Sequence, residues 1–240
     1  MKRVLFLTAY NRPQYFRQVL DSWKAVRGIE QWDIYVQIEP NSFAEEQEQM
    51  VYETFTNHDN VEVVINPQKY GVLHNPWVGF EHLFMERNYD FVVRGEDDLV
   101  VSADILEYFN YTSEKFQNNP KVATVVAYSD DNGGPDGIKL SSGFGPWVWG
   151  TWFDRWEGLF GPTWDHDYST YNGEPGNQAG WDWNINTRIF PQYDLRSVEP
   201  TRSRVHNIGV FGTHAIPEDY HTSDSFSPDH GEGLQYTVVS

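Results

Sequence analysis

Between residues 4 and 128 the chain alternates two hydrophobic periods, and that alternation limits the folds open to it more than any other feature. VLFLTAY (4–10) is a continuous apolar run, as expected of a strand covered on both faces. NRP follows, then Phe16, Val19, Leu20 and Trp23 recur at helical spacing, with Pro13 suited to a first helical turn. The pair of signals repeats: strands are predicted at 32–40, 61–67, 89–95 and 122–128, with helical stretches at 43–57, at 75–87 after a turn around Tyr70 and Gly71, and after residue 102. Strands alternating with helices predict an α/β fold built on a mostly parallel central sheet with helices on both faces. Right-handed crossovers then bring the strand C-termini to one edge, where open α/β sheets bind ligands.

Each predicted strand ends in polar residues: Thr8 to Arg12, Glu39 to Asn41, Asn66, and Glu96, Asp97 and Asp98. These clusters are therefore expected to converge. Three successive acids at the end of an apolar run are costly to desolvate, and their oxygens are hard ligands for Mg²⁺ or Mn²⁺, which would offset their mutual repulsion. Acids in this position also serve as solvated caps of the next helix. That helix is marked by Ser102 as N-cap, by Ile105, Leu106, Phe109 and Phe116 on one face, and by Pro120 beyond its end.

A formal net charge of -18 repels nucleic acid and anionic membranes, so both are unexpected partners. MKRVLFLTAYNRP has too short an apolar run for a signal peptide, and no segment offers the roughly 20 apolar residues of a membrane span, so a cytoplasmic location is expected. The absence of cysteine excludes disulfides and thiolate metal sites. From about residue 129 Gly, Pro, Trp and Asp dominate, which predicts long loops, short strands and one or two helices packed over the sheet edge. We expect one domain over 1–240: an α/β half at 1–128 that carries the ligand-binding edge, a loop-rich half at 129–215 and a tail at 216–240.

The stretch EDDLVVSADILEYF, followed by VATVVAYSDDNGG, resembles the GT-A nucleotide-sugar glycosyltransferases, and most closely the N-acetylglucosaminyltransferase I-like family. WVWGTWFDRW (147–156), GWDWN (180–184) and VHNIGVFGTHA (205–215) resemble motifs of bacterial sugar transferases. The resemblance implies a Rossmann-like GT-A fold, a UDP-sugar donor, Mn²⁺ or Mg²⁺ as cofactor, a carbohydrate or glycoconjugate acceptor, and a minimal catalytic core of bacterial or phage type. It implies that Asp98 binds the metal, that Asp97 faces the ribose or metal-bound water with Glu96 in support, and that Arg12 and Glu39 lie near the nucleotide base. Thr8 and Gly71 complete the expected donor site. His214 is the expected second metal ligand, although a lone His near a chain end is commonly structural.

Transfer requires the acceptor hydroxyl to lose a proton, and Asp182, between Trp181 and Trp183, is the candidate base. It could also cap the helix beginning DWNINTRIF. Arg202 or Arg204 is a candidate partner for the departing diphosphate. Trp149, Trp152 and Trp181 are candidates for sugar binding, although tryptophans are commonly core. The expected function is metal-dependent glycosyl transfer, with inversion. A carbohydrate-binding protein without turnover and a glycoside hydrolase with paired carboxylates are the alternatives.

Overall fold

The computed structural model describes residues 1–131, 134, 137–167, 180–211 and 225–239. The first half follows the predicted alternation: β1 (Arg3–Ala9), α1 (Pro13–Lys24), β2 (Asp33–Ile38), α2 (Ala44–Thr54), β3 (Val61–Ile65), α3 (Gly71–Glu81), β4 (Phe91–Glu96), β5 (Leu99–Val101), α4 (Ile105–Phe116) and β6 (Val122–Val126). The second half adds β7 (Gly137–Ser141), β8 (Trp149–Trp152), a helical stretch α5 over 153–163, a second, α6, over 181–193, then β9 (Arg196–Pro200), β10 (Val205–Asn207) and β11 (Thr237–Val238).

Nine strands form one sheet in the order β11-β7-β9-β6-β8-β4-β1-β2-β3. β1 lies parallel to β2 and β4, and β3 parallel to β2. β8 runs antiparallel between β4 and β6, so β6 points the same way as β4. The late strands thus extend the first-half sheet, and β11 pairs with β7 at its far edge.

Apolar runs buried on both faces explain the two cores. Phe16, Val19, Leu20 and Trp23 of α1 pack with Leu5, Leu7, Val93 and α4 on one face. Val4, Phe6 and Val92 face α3, α5 and α6 across the other, where the aromatic side chains concentrate. α3 approaches β1 closely because Gly79 has no side chain: a Cβ there would fall inside the Phe6 ring.

Three departures from the predicted elements bear on the site. α3 begins at Gly71, four residues before the predicted start, because its first N–H groups are satisfied from a distance by the Glu39 carboxylate. Ser102 is not the N-cap of α4. Asp104 occupies that position, while the Ser102 carbonyl accepts the Ile105 N–H at 3.2 Å. Between the acids and α4 lies β5, a strand too short to show a period of its own, which pairs antiparallel with β10.

Candidate active site

The polar clusters at the strand ends do converge. β4 ends at Glu96, and Asp97 and Asp98 make the turn into β5. The Tyr10 N–H donates to Asp97 Oδ2 at 3.1 Å, and the Arg12 guanidinium spans the pair, donating to Asp98 Oδ2 at 2.7 Å and to Asp97 Oδ1. On the other side, β10 pairs Asn207 with Leu99, and the Ile208 N–H donates to the Asp98 carbonyl at 2.8 Å. Gly209 then passes so close that a Cβ would meet Asp98 Cγ at 3.0 Å. VHNIG is therefore placed against the acidic turn by strand pairing, and a glycine is required for the approach.

Burial holds both aspartates above the usual carboxylate range. For Asp97 the Arg12 charge opposes burial without cancelling it. For Asp98 burial and the Glu96 charge push the carboxyl up to about 7, against the lowering by Arg12. The turn is thus short of positive charge even with Arg12 in place. Arg12, expected near the nucleotide base, pairs its fork with the two acids.

Removing that fork should leave two buried carboxylates uncompensated. Arg12→Met is expected to cost about 3 kcal/mol of stability at neutral pH in the presence of chelator. Carboxyls with raised folded-state pKa bind protons more tightly when folded than unfolded, so the variant's stability should fall as pH rises from the ordinary carboxylate range. Denaturant melts at pH 5 and pH 8 check this. The deficit should be larger at pH 8, and added Mn²⁺ should reduce it.

A divalent cation fits this donor set. The available ligand atoms are hard carboxylate oxygens, and Asp98 is under-compensated by its surroundings. Among the described residues no three His, Cys, Asp or Glu side chains converge on one point, so Asp98 would need further ligands from elsewhere. His214, the expected second ligand, lies outside the described residues.

The remaining expected donor-site residues lie on this edge but are occupied by the protein itself. Glu39 is buried, and its oxygens accept the Gly71 N–H at 2.6 Å and the Tyr70 N–H at 2.9 Å. It shapes the start of α3, where Gly71 takes a φ of +78°, and Tyr70 stands beside it. Thr8 is buried between β1 and β4, donating to the Gly95 carbonyl at 3.3 Å. These contacts make Thr8 and Glu39 frame residues of the edge.

Arg94 was not singled out in the sequence, although a cation inside the apolar run FVVRGE signals it. It is 3% exposed, donates to Glu96 Oε1 at 2.9 Å and to Thr8 Oγ1 at 3.3 Å, and lies 5.2 Å from the Trp181 ring centre. Trp181 opens α6, after Gly180 with φ +96°, and Asp182 is the next residue. Burial raises the Asp182 carboxyl, the N–H groups of Trp183 and of Asp182 itself lower it, Glu96 raises it and Arg94 lowers it. Asp182 therefore both binds the first turn of its helix and lies within electrostatic reach of the acidic turn.

The tryptophan expectations give way to packing. Trp149 is fully buried, and Trp181 and Trp164 are 4% and 7% exposed. Trp181 lies 4.8 Å from Trp164 and 5.8 Å from Trp149, both stacked, so this group forms the core beneath Arg94. Trp152 points to the opposite face of the sheet, against Phe91, with its indole N–H donating to the Ser113 carbonyl at 3.1 Å. None of the three presents a free ring to a sugar. Arg204 is likewise no partner for a leaving group: it is fully buried, paired with Asp104 at 3.1 Å and enclosed by Tyr108 and Tyr236.

The mostly parallel sheet, with an acidic turn where its fourth strand ends, is that of the GT-A nucleotide-sugar glycosyltransferases. The model of the GNT-I family matches residues 3–144, more than half of the chain, and the chain belongs to that family. Solved structures agree on the fold. GalNAc-T7, solved with UDP, GalNAc and Mn²⁺, is similar over 91% of this chain and 45% of its own, at TM-score 0.59 and 9% identity. The TarS 1-349 structure from S. aureus is similar over 88% and 61%, at 0.58 and 11%. The mannosyltransferase PcManGT from Pyrobaculum calidifontis, solved with GDP-Man and Mn²⁺, is similar over 83% and 54%, at 0.57 and 13%. This chain thus spans about half the length of the structures it matches. No curated protein matches it. Among the described residues, no helix is long and apolar enough to cross a membrane.

Proposed function

We propose that the protein is a metal-dependent glycosyltransferase that moves a sugar from a UDP-sugar to an acceptor hydroxyl, with inversion. One observation carries the reading: Arg94 bonds Glu96 at 2.9 Å beneath the ring of Trp181, so the acidic turn and the helix bearing Asp182 share one buried link. A carboxylate on a separate element, within electrostatic reach of Glu96, is the arrangement single displacement needs. Asp182 takes the proton as the acceptor oxygen attacks the anomeric carbon, and burial raises its basicity for that task. Asp98 would hold a divalent cation, with His214 as a further ligand. Bound there, the cation would neutralise charge on the diphosphate leaving group. Glu39 and Gly71 hold Tyr70 at the donor edge, and Arg12 maintains the aspartate pair.

Calorimetry tests the reading directly. UDP is expected to bind the protein in Mn²⁺ or Mg²⁺ and to lose at least tenfold in affinity, about 1.4 kcal/mol, in chelator. Equal binding in both conditions would remove the metal from the proposal. Glycan binding with no response to UDP would favour a carbohydrate-binding protein on the same fold.

A further inference from the structure

Apart from the acidic turn, two histidines on different elements meet nitrogen to nitrogen. His74, in the first turn of α3, and His166, three residues beyond α5, place their Nδ1 atoms 3.2 Å apart. His74 is half-buried and braced: it stacks on Trp77 with 5.2 Å between ring centres and meets Tyr70 edge to face at 5.4 Å. His166 is exposed, and the Trp77 ring lies 5.4 Å from it, edge to face. The Trp164 indole N–H donates to the Leu73 carbonyl at 2.8 Å, which seats the segment of His166 on α3.

The spacing of the two rings favours a shared ion over a plain hydrogen bond. Imidazoles in a straight N–H···N contact of this length would set their ring centres about 5.5 Å apart. Here the centres stand at 5.0 Å with the planes tilted by 60°. The rings are thus turned off the line joining their nitrogens. Two imidazoles on one ion, with bonds of about 2.1 Å and a bite of about 100°, bring their nitrogens to about 3.2 Å and their ring centres to about 5.0 Å. Both observed spacings match that arrangement. Burial and His74 hold the His166 imidazole below its usual range, with Asp165 opposing, so at neutral pH it is uncharged and keeps a lone pair to give. Imidazole nitrogen suits Zn²⁺, Cu²⁺ and Ni²⁺, whereas carboxylate oxygen suits Mg²⁺ and Mn²⁺, so this pair and the acidic turn select different ions.

We propose that His74 and His166 bind a transition-metal ion of the Zn²⁺ class, which clamps the segment after α5 onto the first turn of α3. Among the described residues no third His, Cys, Asp or Glu side chain joins the pair, so the remaining positions on the ion are left to water. The clamp adjoins the frame of the candidate site on both sides. Trp164, two residues before His166, stacks on Trp181 at 4.8 Å, and Trp181 precedes Asp182. Tyr70, whose ring meets His74, is held through its N–H by Glu39. The proposal does not depend on the glycosyltransferase reading.

Calorimetric titration of the full chain with Zn²⁺ in excess Mg²⁺ tests the site, since Mg²⁺ competes at carboxylate oxygens and leaves imidazole free. A single Zn²⁺ is expected to bind, and His166→Gln and His74→Phe should each weaken it by at least about tenfold. His74→Phe keeps a ring against Trp77 and Tyr70 while removing the nitrogen, and His166 is exposed, so both variants should fold. The double variant should bind Zn²⁺ about as weakly as either single one, because both nitrogens serve one ion. Zn²⁺ should also raise the melting temperature of the wild type and not that of the variants. Asp98→Ala should keep the wild-type Zn²⁺ affinity, whatever becomes of its UDP binding. Zn²⁺ affinity unchanged in the histidine variants, or lost in Asp98→Ala instead, overturns the proposal. A wild type that binds no Zn²⁺ overturns it as well.

Discussion

Asp98→Ala is expected to lower sugar transfer by at least about a thousandfold and to abolish the metal-dependent part of UDP binding. The size of the effect follows from the turn. Asp98 is short of positive charge, because burial and Glu96 together push its carboxyl up to about 7 despite the Arg12 contact at 2.7 Å. Alanine deletes the oxygens without disturbing the carbonyl that receives the Ile208 N–H, so β10 should stay docked. A variant that folds normally but binds UDP equally with Mn²⁺ and with chelator would support the assignment. One that keeps wild-type metal dependence would overturn it and redirect attention to Asp97 or Glu96.

Asp182→Asn should leave UDP affinity within about twofold and reduce kcat by about 10²–10⁴-fold, the usual contribution of a positioned base. The amide keeps the shape and the contact to its helix but cannot accept the proton. In the wild type the acid limb of kcat should lie above the ordinary carboxylate range, because burial and Glu96 hold the Asp182 carboxyl up. Only the deprotonated form acts as base, so turnover falls as pH drops through that raised pKa. Steady-state rates of UDP-sugar consumption across pH 4 to 8 check both points. Parallel losses of kcat and UDP affinity would instead assign Asp182 to the frame of the site through its helix.

The first half of the fold was legible because its strands and helices carry distinct periods. Phe16, Val19, Leu20 and Trp23 repeat at helical spacing and are all fully buried, and the predicted strand runs appear in the parallel part of the sheet. The acids were legible too, since three charges ending an apolar run have few structural uses. What failed was anything set by contacts distant in sequence. The start of α3 depends on Glu39, over thirty residues away, so no local signal at Gly71 could reveal it. Ser102 has the chemistry of an N-cap, yet pairing of β5 with β10 carries the chain past it and leaves the position to Asp104.

The tryptophans show the same limit. WVWGTW identifies four apolar bodies, but which of them face a core depends on strand alternation and on the sheet neighbours. By itself the sequence determined the α/β class, the strand edge on which the polar clusters converge and the three acids placed there, because local periodicity and charge placement encode these. Only the tertiary structure decided that Arg12 clasps Asp97 and Asp98, that Arg94 links Glu96 to the helix of Asp182, and that Trp149, Trp152 and Trp181 are enclosed in the cores. The physical reason is that each of these depends on which distant segments share a strand pairing, and a buried charge or ring is directed by the neighbours that pairing supplies.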